Sequence, residues 1–294
     1  MTRTVPGVPP VKANRLQNTE ALYREALDRC QRLAAADPAR RSELAAACVR
    51  LAELLVGANR PEDAEEAEAL FRAALKLYQK SAKTDPAAYE PKFAAVCCSL
   101  GALLAGADRL GDAEEAERLF RRALELYRKL AAARPAAYRP DLARTCSNLG
   151  ALLAKAKRSK SAENRLREAL DLRRTLAAAN PAAHRPGLAA TCGNLANLLA
   201  ETRRPKEAEA LYDEALSIRR ALAKTNPAAN EPKLAAVCCN LGLFLLESGR
   251  ERRAEPLLRE ALALWEKYPP YGENAEAVRG VLDGQFKGPP SGAP

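Results

Sequence analysis

Cysteine is the residue type of this sequence whose number and spacing could support metal or redox chemistry. Eight cysteines are present, and five of them recur at intervals of 49, 49, 46 and 46 residues: Cys48, Cys97, Cys146, Cys192 and Cys238. Equivalent residues on neighbouring packed helices lie roughly 10 Å apart, whereas a disulfide requires Cα atoms within about 7 Å. We therefore interpret the five as small apolar residues in one repeated core position, and the sequence predicts no metal site and no cofactor.

The single histidine, His184, is the other residue that could do chemistry. It occupies a position that holds Tyr89, Tyr138 and Asn230 in the equivalent segments, which predicts a surface residue of a linker. The sequence also contains no glycine-rich phosphate loop, no nucleophile elbow and no paired-acid motif. Since a catalytic site needs such a constellation, the sequence predicts that the protein is not an enzyme.

A charged segment forms a third candidate site. Residues 134–180 hold eleven Lys and Arg against four Asp and Glu, and contribute +7 to a net charge of +10. Four of these cations cluster in a predicted loop: Lys155, Lys157, Arg158 and Lys160. Such a loop could bind an acidic partner or nucleic acid, or simply be solvated. The absence of interleaved aromatic residues, on which bases could stack, disfavours nucleic acid.

The repeat that carries the cysteines also predicts the architecture. Within each copy, apolar residues recur at three-and-four spacing in two stretches, which indicates two amphipathic helices. Residues Pro91, Pro140, Pro186 and Pro232 are predicted to precede the first helix of their copies, because a helix interior excludes proline. The first two copies carry three extra residues at one point, which is therefore a loop.

The domain organisation follows from the repeat. We predict a disordered tail over 1–15, a half-repeat plus five helix pairs over 16–267, a capping segment over 268–286 and a disordered tail over 287–294. Five per cent aromatic residues and an Ala/Leu/Glu/Arg-rich composition disfavour a β-sandwich or barrel. No apolar run approaches the ~18 residues of a membrane span, and no signal-peptide pattern is present, so we expect a cytoplasmic protein with no membrane contact.

The repeated residues resemble the tetratricopeptide repeat, whose pattern runs Trp-x2-Leu-Gly-x2-Tyr, then Ala-x3-Phe, then Ala and Pro. The second full copy supplies Cys97, Leu100, Gly101, Leu104, Ala116, Phe120, Ala123 and Pro135. The resemblance covers roughly residues 16–267 and is similar to the longer repeats of kinesin light chains and related bacterial arrays. It departs from the pattern in placing Cys in the aromatic position and in exceeding a ~34-residue period.

The resemblance implies an all-α, right-handed α-solenoid of helix-turn-helix repeats that binds a peptide or helix of another protein in a concave groove. In such arrays the position two residues after the repeated Cys often contacts the bound segment. Asn148, Asn194 and Asn240 occupy it here, with Asn197 and Arg144 in flanking positions. An amide suits this role because it both donates and accepts. Inter-repeat hydrogen bonds, or simple copying of the repeat, are alternative reasons for these asparagines.

The sequence thus predicts a non-enzymatic protein–protein interaction scaffold. Two alternatives remain open, a regulatory sensor whose superhelix responds to a peptide or small ligand, and a homo-oligomer that assembles through open ends or convex faces.

Overall fold

A computed structural model describes residues 10–58, 60–107 and 109–286. These residues contain helices and turns but no β-strand. The chain divides into two compact units, residues 1–156 and 157–294, called unit 1 and unit 2 below. In each unit, successive helices joined by short turns pack on one another, so the predicted all-α class of helix-turn-helix repeats is confirmed.

The described residues of unit 1 form six α-helices in chain order. They are α1 (Pro10–Ala36), α2 (Arg41–Ala58), α3 (Ala64–Thr84), α4 (Pro86–Gly106), α5 (Asp112–Ala133) and α6 (Pro135–Lys155). Single 3-10 turns at Pro38–Arg40 and Pro61–Asp63 precede α2 and α3. Each helix packs against the next along the chain, and α4 also touches α6. Helix α1 begins at Pro10, so residues 10–15 of the predicted disordered tail are helical, while residues 1–9 lie outside the described residues.

Unit 2 contains the remaining helices of the described chain. They are α7 (Ser159–Ala179), α8 (Pro181–Glu201), α9 (Pro205–Thr225), α10 (Pro227–Glu247), α11 (Glu251–Trp265) and α12 (Gly272–Phe286), with a 3-10 turn at Pro269–Tyr271. Successive helices again pack on one another. Helix α12, which lies within the segment predicted to be a cap, packs on α11. The predicted tail over 287–294 lies outside the described residues.

The predicted positions of four prolines are wrong. Helices α4, α6, α8 and α10 begin at the preceding proline (Pro86, Pro135, Pro181 and Pro227) and enclose the second one (Pro91, Pro140, Pro186 and Pro232). The linker to the preceding helix is therefore a single residue, such as Asp85, whose carboxylate accepts a hydrogen bond from the Ala88 N–H. A proline six residues into the helix is tolerated because the carbonyl it leaves unbonded belongs to an exposed first turn.

The contact between the two helices of a repeat depends on a residue without a side chain. Ring atoms of Phe120 on α5 lie so close to α4 that a Cβ on Gly101 would be 3.0 Å from them. A Cβ on Gly242 of α10 would be 2.8 Å from Leu258 of α11. Phe120 and Leu258 are at most 1% exposed. Glycine at these positions therefore lets the second helix bury a large side chain against the first.

Arginine–glutamate pairs join the turn before a second helix to the preceding second helix, and the sequence alone did not reveal them. An arginine stands twelve residues after each repeated Cys: Arg60, Arg109, Arg158, Arg204 and Arg250. In unit 1, Arg60 bonds Glu20 at 2.7 Å and Arg109 bonds Glu68. In unit 2, Arg204 bonds Glu163 at 2.5 Å and Arg250 bonds Glu209 at 2.6 Å. The recurrence of arginine twelve residues after each repeated Cys is the sequence signal that could have indicated these pairs.

A second set of pairs crosses the same interfaces in the other direction. Arg24 bonds Glu66 at 2.5 and 2.8 Å, and Arg72 bonds Glu115 at 2.6 and 2.8 Å. In unit 2, Arg167 bonds Glu207 at 2.9 Å. Single exposed ion pairs contribute little, but bidentate pairs that share partners form a network. These pairs therefore fix the stacking of neighbouring repeats along their second helices.

Gly242→Ala tests the close contact of α10 with α11. Alanine favours a helix over glycine by about 1 kcal/mol, yet we expect this variant to be destabilised, by about 1–3 kcal/mol, because Leu258 must shift. The matched control is Gly193→Ala in α8, where an added Cβ meets no atom within 4 Å. That variant should be more stable than wild type. Thermal unfolding of both measures the difference, and a stable Gly242→Ala variant would show that the contact is loose.

Acidification tests the ion pairs. Hydrogen bonds from Arg250, Arg72 and Arg24 hold the pKa values of Glu209, Glu115 and Glu66 below the ordinary value of 4.5. A lowered folded-state pKa contributes stability that is present above pH 4.5 and is lost as the pH falls through the lower value. We expect the temperature midpoint of unfolding to fall as the pH is lowered from 5 to 3. This fall should be smaller in Glu209→Gln, which removes the titrating carboxylate of the pair, than in the control variant Glu273→Gln on α12. Equal pH dependence in the two variants would contradict a role for the Glu209 pairs.

Candidate functional site

A groove opens in unit 1 between the C-terminal halves of α2 and α4 and the middle of α6. It has a volume of about 590 Å³. Its lining includes the small residues Gly57, Ala102 and Gly106 and the apolar side chains Val56 and Leu103. The aromatic ring of Phe71, from α3, lies at its base and is 2% exposed. We call this surface the α2–α4–α6 groove.

Two further concavities adjoin the α2–α4–α6 groove. The first, of about 300 Å³, shares Ala102 and Gly106 with it and is also lined by Asn148 and Lys155. The second, of about 560 Å³, shares Lys155 with the first and includes Leu110, a fully exposed leucine of the loop between α4 and α5. Unit 1 therefore carries a continuous, mainly apolar concave surface rather than one isolated pocket.

Neither packing nor backbone conformation requires glycine at the two groove positions Gly57 and Gly106. Among the residues that the structure describes, a Cβ added to Gly57 or Gly106 would meet no atom within 4 Å. Neither glycine has a positive φ, unlike Gly111 and Gly249. Both glycines stand at the C-terminal ends of their helices, α2 and α4. Because glycine has no Cβ, the groove stays open at these two positions.

Two of the residues predicted as groove contacts lie on α6: Arg144 lines the α2–α4–α6 groove and Asn148 lines the adjoining concavity. The Arg144 guanidinium donates to Asp141 Oδ1 at 3.0 Å and to Cys98 Sγ at 3.2 Å, and its side chain is 38% exposed. The Asn148 amide lies 3.9 Å from the same sulfur. Both side chains are thus held in place while part of each faces the groove, so they can donate to carbonyl or carboxylate groups.

The asparagines of unit 2 are used differently. Asn197 Oδ1 accepts a hydrogen bond from Tyr212 Oη at 2.6 Å and from the Asn240 amide at 3.3 Å. Asn197 and Asn240 therefore form the inter-repeat hydrogen bond that the sequence left open as an alternative to ligand binding. Among the residues that the structure describes, the half-buried Asn194 amide has no hydrogen bond, so it keeps its donors and acceptor.

The predicted basic loop is shorter than expected. Lys155 is the last residue of α6 and lines the concave surface of unit 1, and Lys160 lies within α7. Lys157 has a positive φ of 57° and pairs with Glu201 at 3.1 Å. Arg158 occupies the position of the pairing arginines and is itself engaged within the chain. The four cations thus belong to two helix ends and a tight turn, because α7 begins at Ser159.

Most of the cysteines lie in the core, and the histidine lies on a helix. Seven cysteines are buried and Cys30 is half-buried, with no disulfide among the described residues. Burial raises the pKa of Cys97, Cys192 and Cys238 to about 12, so these thiols stay protonated at neutral pH. His184 lies in the first turns of α8 rather than in a linker, because that helix begins at Pro181. No cluster of metal-ligating side chains occurs in the described part of the chain.

A buried arginine in unit 2 was also missed by the sequence analysis. Arg219 on α9 is 6% exposed, and its Nε and Nη1 atoms have no hydrogen-bond partner in the described part of the chain. Its remaining nitrogen donates to the Pro186 carbonyl at 3.1 Å. Burial lowers the pKa of Arg219. The equivalent residues of unit 1 are the buried Tyr78 and Tyr127, so charge replaces an aromatic ring at one core position.

Comparison with known proteins defines the family. The tetratricopeptide repeat model matches residues 100–132, 142–181, 188–227 and 234–268, together half of the chain. The chain belongs to the tetratricopeptide repeat family. The resemblance stated from the repeated residues is therefore confirmed, despite Cys in the aromatic position. The search of curated proteins gives no match.

Solved structures show the same fold. BtubC (BKLC) from P. vanneervenii is 21% identical, with 95% of this chain and 96% of that chain covered and a TM-score of 0.61. A putative kinesin light chain of Podosopora anserina with nearly identical TPR-like repeats is 18% identical, with coverage of 75% and 96% and a TM-score of 0.53. The apo form of RapI is 13% identical, with coverage of 79% and 75% and a TM-score of 0.60.

The tetratricopeptide fold is one that supports protein–protein interaction, because stacked repeats present extended concave surfaces. Within the described residues, none of the helices combines the length and the apolar character needed to cross a bilayer.

Thiol labelling tests the burial of the repeated cysteines. We expect Cys192 and Cys238 to resist a maleimide under native conditions, since both are buried and their thiols stay protonated. An introduced Ala228→Cys, at an exposed position of α10, should react at least tenfold faster and serves as the control. Peptide mass spectrometry assigns the modified residues. Comparable native rates for Cys192 and the control would contradict the buried position.

Proposed function

We propose that this protein is a non-enzymatic protein–protein interaction scaffold and that the α2–α4–α6 groove of unit 1 binds a segment of its partner. The observation that carries the proposal is the pair of helical glycines, Gly57 and Gly106. Neither packing nor backbone conformation requires glycine at these positions. Their presence in a groove of about 590 Å³ is explained when another chain approaches the α2 and α4 backbones closely.

The lining indicates what the partner segment presents. Val56, Leu103 and Phe71 offer apolar contact, so the segment carries at least one apolar side chain directed into the groove. Arg144 and Asn148 stand along one edge and supply N–H donors, which match carbonyl or carboxylate oxygens. A helix with an apolar face or an extended peptide meets both conditions, and small residues on the floor allow either to approach closely.

Asn194 is the second contact point that we propose, in unit 2. Its half-buried amide lies on α8 with no hydrogen bond among the described residues, so it can bond the backbone of a bound segment. Asn240 retains its own carbonyl oxygen, whereas Asn197 already accepts two hydrogen bonds and acts as a positioning residue. We therefore propose Asn194 and Asn240 as contact residues, and Asn197 as the acceptor that holds Tyr212 and Asn240 in place.

Peptide selection with a groove-filling variant tests the proposal. A displayed library of random peptides is selected on the wild-type chain, and the selected peptides are then measured on Gly106→Tyr. We expect peptides rich in apolar residues, and at least a tenfold loss of affinity in the variant because the new ring occupies the groove.

The control is Gly280→Tyr on α12, where an added side chain also meets no atom within 4 Å. It should bind the selected peptides like wild type, and both variants should unfold at the wild-type temperature. Equal binding to Gly106→Tyr and Gly280→Tyr would place the peptides elsewhere and overturn the groove assignment.

A further inference from the structure

Arg219 on α9 is a buried cation with no counter-charge among the described residues. Burial lowers its pKa, and no acidic side chain of the described chain acts on it. Its Nη2 atom donates to the Pro186 carbonyl of α8 at 3.1 Å, whereas Nε and Nη1 are buried without an acceptor among the described residues. Because an unpaired buried charge is destabilising, the three N–H groups on Nε and Nη1 lack the acceptor that would offset burial.

The equivalent arginine of the preceding repeat is placed differently. The position of Arg219 is occupied in the other full copies by Tyr78, Tyr127, Arg173 and Trp265. The Arg173 guanidinium lies so close to α8 that a Cβ on Gly187 would be 2.6 Å from its Cζ, and Arg173 is engaged within the chain. The residue of α10 equivalent to Gly187 is Lys233. Since Lys233 has a Cβ, Arg219 cannot lie on α10 in the same way, and it bonds α8 instead.

In unit 1, side chains close the space between the first helices beside the equivalent residue, Tyr127. Burial raises the pKa of the Tyr127 hydroxyl, and Asp141, Arg144 and Cys98 are near enough to act on it as well. Arg144 extends from α6 to Cys98 of α4, where its guanidinium nitrogen lies 3.2 Å from Sγ. This contact bridges α4 and α6 beside the hydroxyl.

In unit 2, the residues that would make the same bridge have almost no side chain. Cys98 is replaced by Gly193 of α8, and Arg144 by Ala236 of α10. Among the described residues, a Cβ added to Gly193 would meet no atom within 4 Å. Ala190, about one turn before Gly193, is exposed. The gap between α8 and α10 beside Arg219 is therefore lined by small residues, and a side chain of another molecule can enter it.

We propose that Arg219 binds the carboxylate of an aspartate or glutamate side chain of a partner segment that lies along α8 and α10. The acidic side chain enters the gap between Gly193 and Ala236. The Arg219 guanidinium turns toward the gap, so that Nε and Nη1 donate charge-assisted hydrogen bonds to the carboxylate oxygens. The single charge of a carboxylate matches one guanidinium, whereas a phosphate group carries up to two negative charges.

The source of the carboxylate rests on the proposed function, because it is a partner protein that supplies the segment. Asn194, which was proposed above as a contact residue, follows Gly193 directly on α8. Its amide can bond the backbone of the segment whose acidic side chain reaches Arg219. The carboxylate site itself uses no residue of the α2–α4–α6 groove, so the two assignments are tested separately.

Nuclear magnetic resonance of the nitrogen-15-labelled full chain measures carboxylate binding at Arg219 itself. The Arg219 Nε–H signal is identified by its loss in Arg219→Tyr, a variant that should fold because Tyr78 and Tyr127 occupy the equivalent position. We expect sodium acetate at pH 7 to shift this signal and to saturate at millimolar concentration. Sodium chloride and sodium phosphate at equal ionic strength should bind at least tenfold more weakly.

Gly193→Leu fills the gap and leaves Arg219 in place. Its affinity for acetate should fall at least tenfold, whereas Gly280→Leu on α12, where an added Cβ also meets no described atom within 4 Å, should bind acetate like wild type. An Arg219 signal that acetate does not shift would overturn the site. Equal binding of acetate, chloride and phosphate, or undiminished binding in Gly193→Leu, would overturn it as well.

Peptide selection on Gly106→Tyr, in which the α2–α4–α6 groove is blocked, tests the source of the carboxylate. We expect the selected peptides to contain aspartate or glutamate and to bind at least tenfold more weakly when Arg219→Tyr is added. Arg252→Tyr, the same change at an exposed position of α11, should leave their binding unchanged. No selected peptide, or equal binding to the two arginine variants, would overturn the assignment to a partner segment. Acetate binding should be the same in Gly106→Tyr and wild type, so failure of the groove assignment is recognised independently.

Discussion

The contact between a large side chain on each second helix and a small residue on the first helix is the constraint on which the structure depends. It brings Phe120 against Gly101 in unit 1 and Leu258 against Gly242 in unit 2. Each helix pair buries only one part of its apolar surface in this way, and the rest requires the neighbouring pair. The repeated Cys lies in the same core, where a small apolar side chain fits between helices.

The two sets of helices carry different tasks as a result. The second helices and the turns before them hold the arginine–glutamate network, which joins neighbouring repeats through Arg109 with Glu68 in unit 1 and Arg250 with Glu209 in unit 2. In unit 1 the first helices carry a concave surface of small residues, which includes Gly57 and Gly106. The ion pairs between repeats and this concave surface therefore occupy different parts of the unit.

Much of the fold was predictable because the sequence repeats. Five registered copies with apolar residues at helical spacing indicated the helix pairs, the buried cysteines and the tetratricopeptide family. The errors concern the ends of helices. Pro91 was expected before α4 but lies inside it, because Pro86 already begins the helix with Asp85 as its cap. His184 was assigned to a linker for the same reason, although it belongs to α8, whereas Lys155 was assigned to a loop because α6 extends further at its C-terminal end than expected.

The sequence by itself determined the repeat, its helical period and the position of its small residues, since these follow from the spacing of apolar side chains along one helix. Contacts between repeats required the tertiary structure. Glu68 and Arg109 are 41 residues apart, and nothing local brings them together. The same holds for Asn197, which resembles a groove residue in sequence but bonds Tyr212 and Asn240 once the repeats stack. The groove of unit 1 likewise became visible only in the tertiary structure, because its lining comes from α2, α3, α4 and α6.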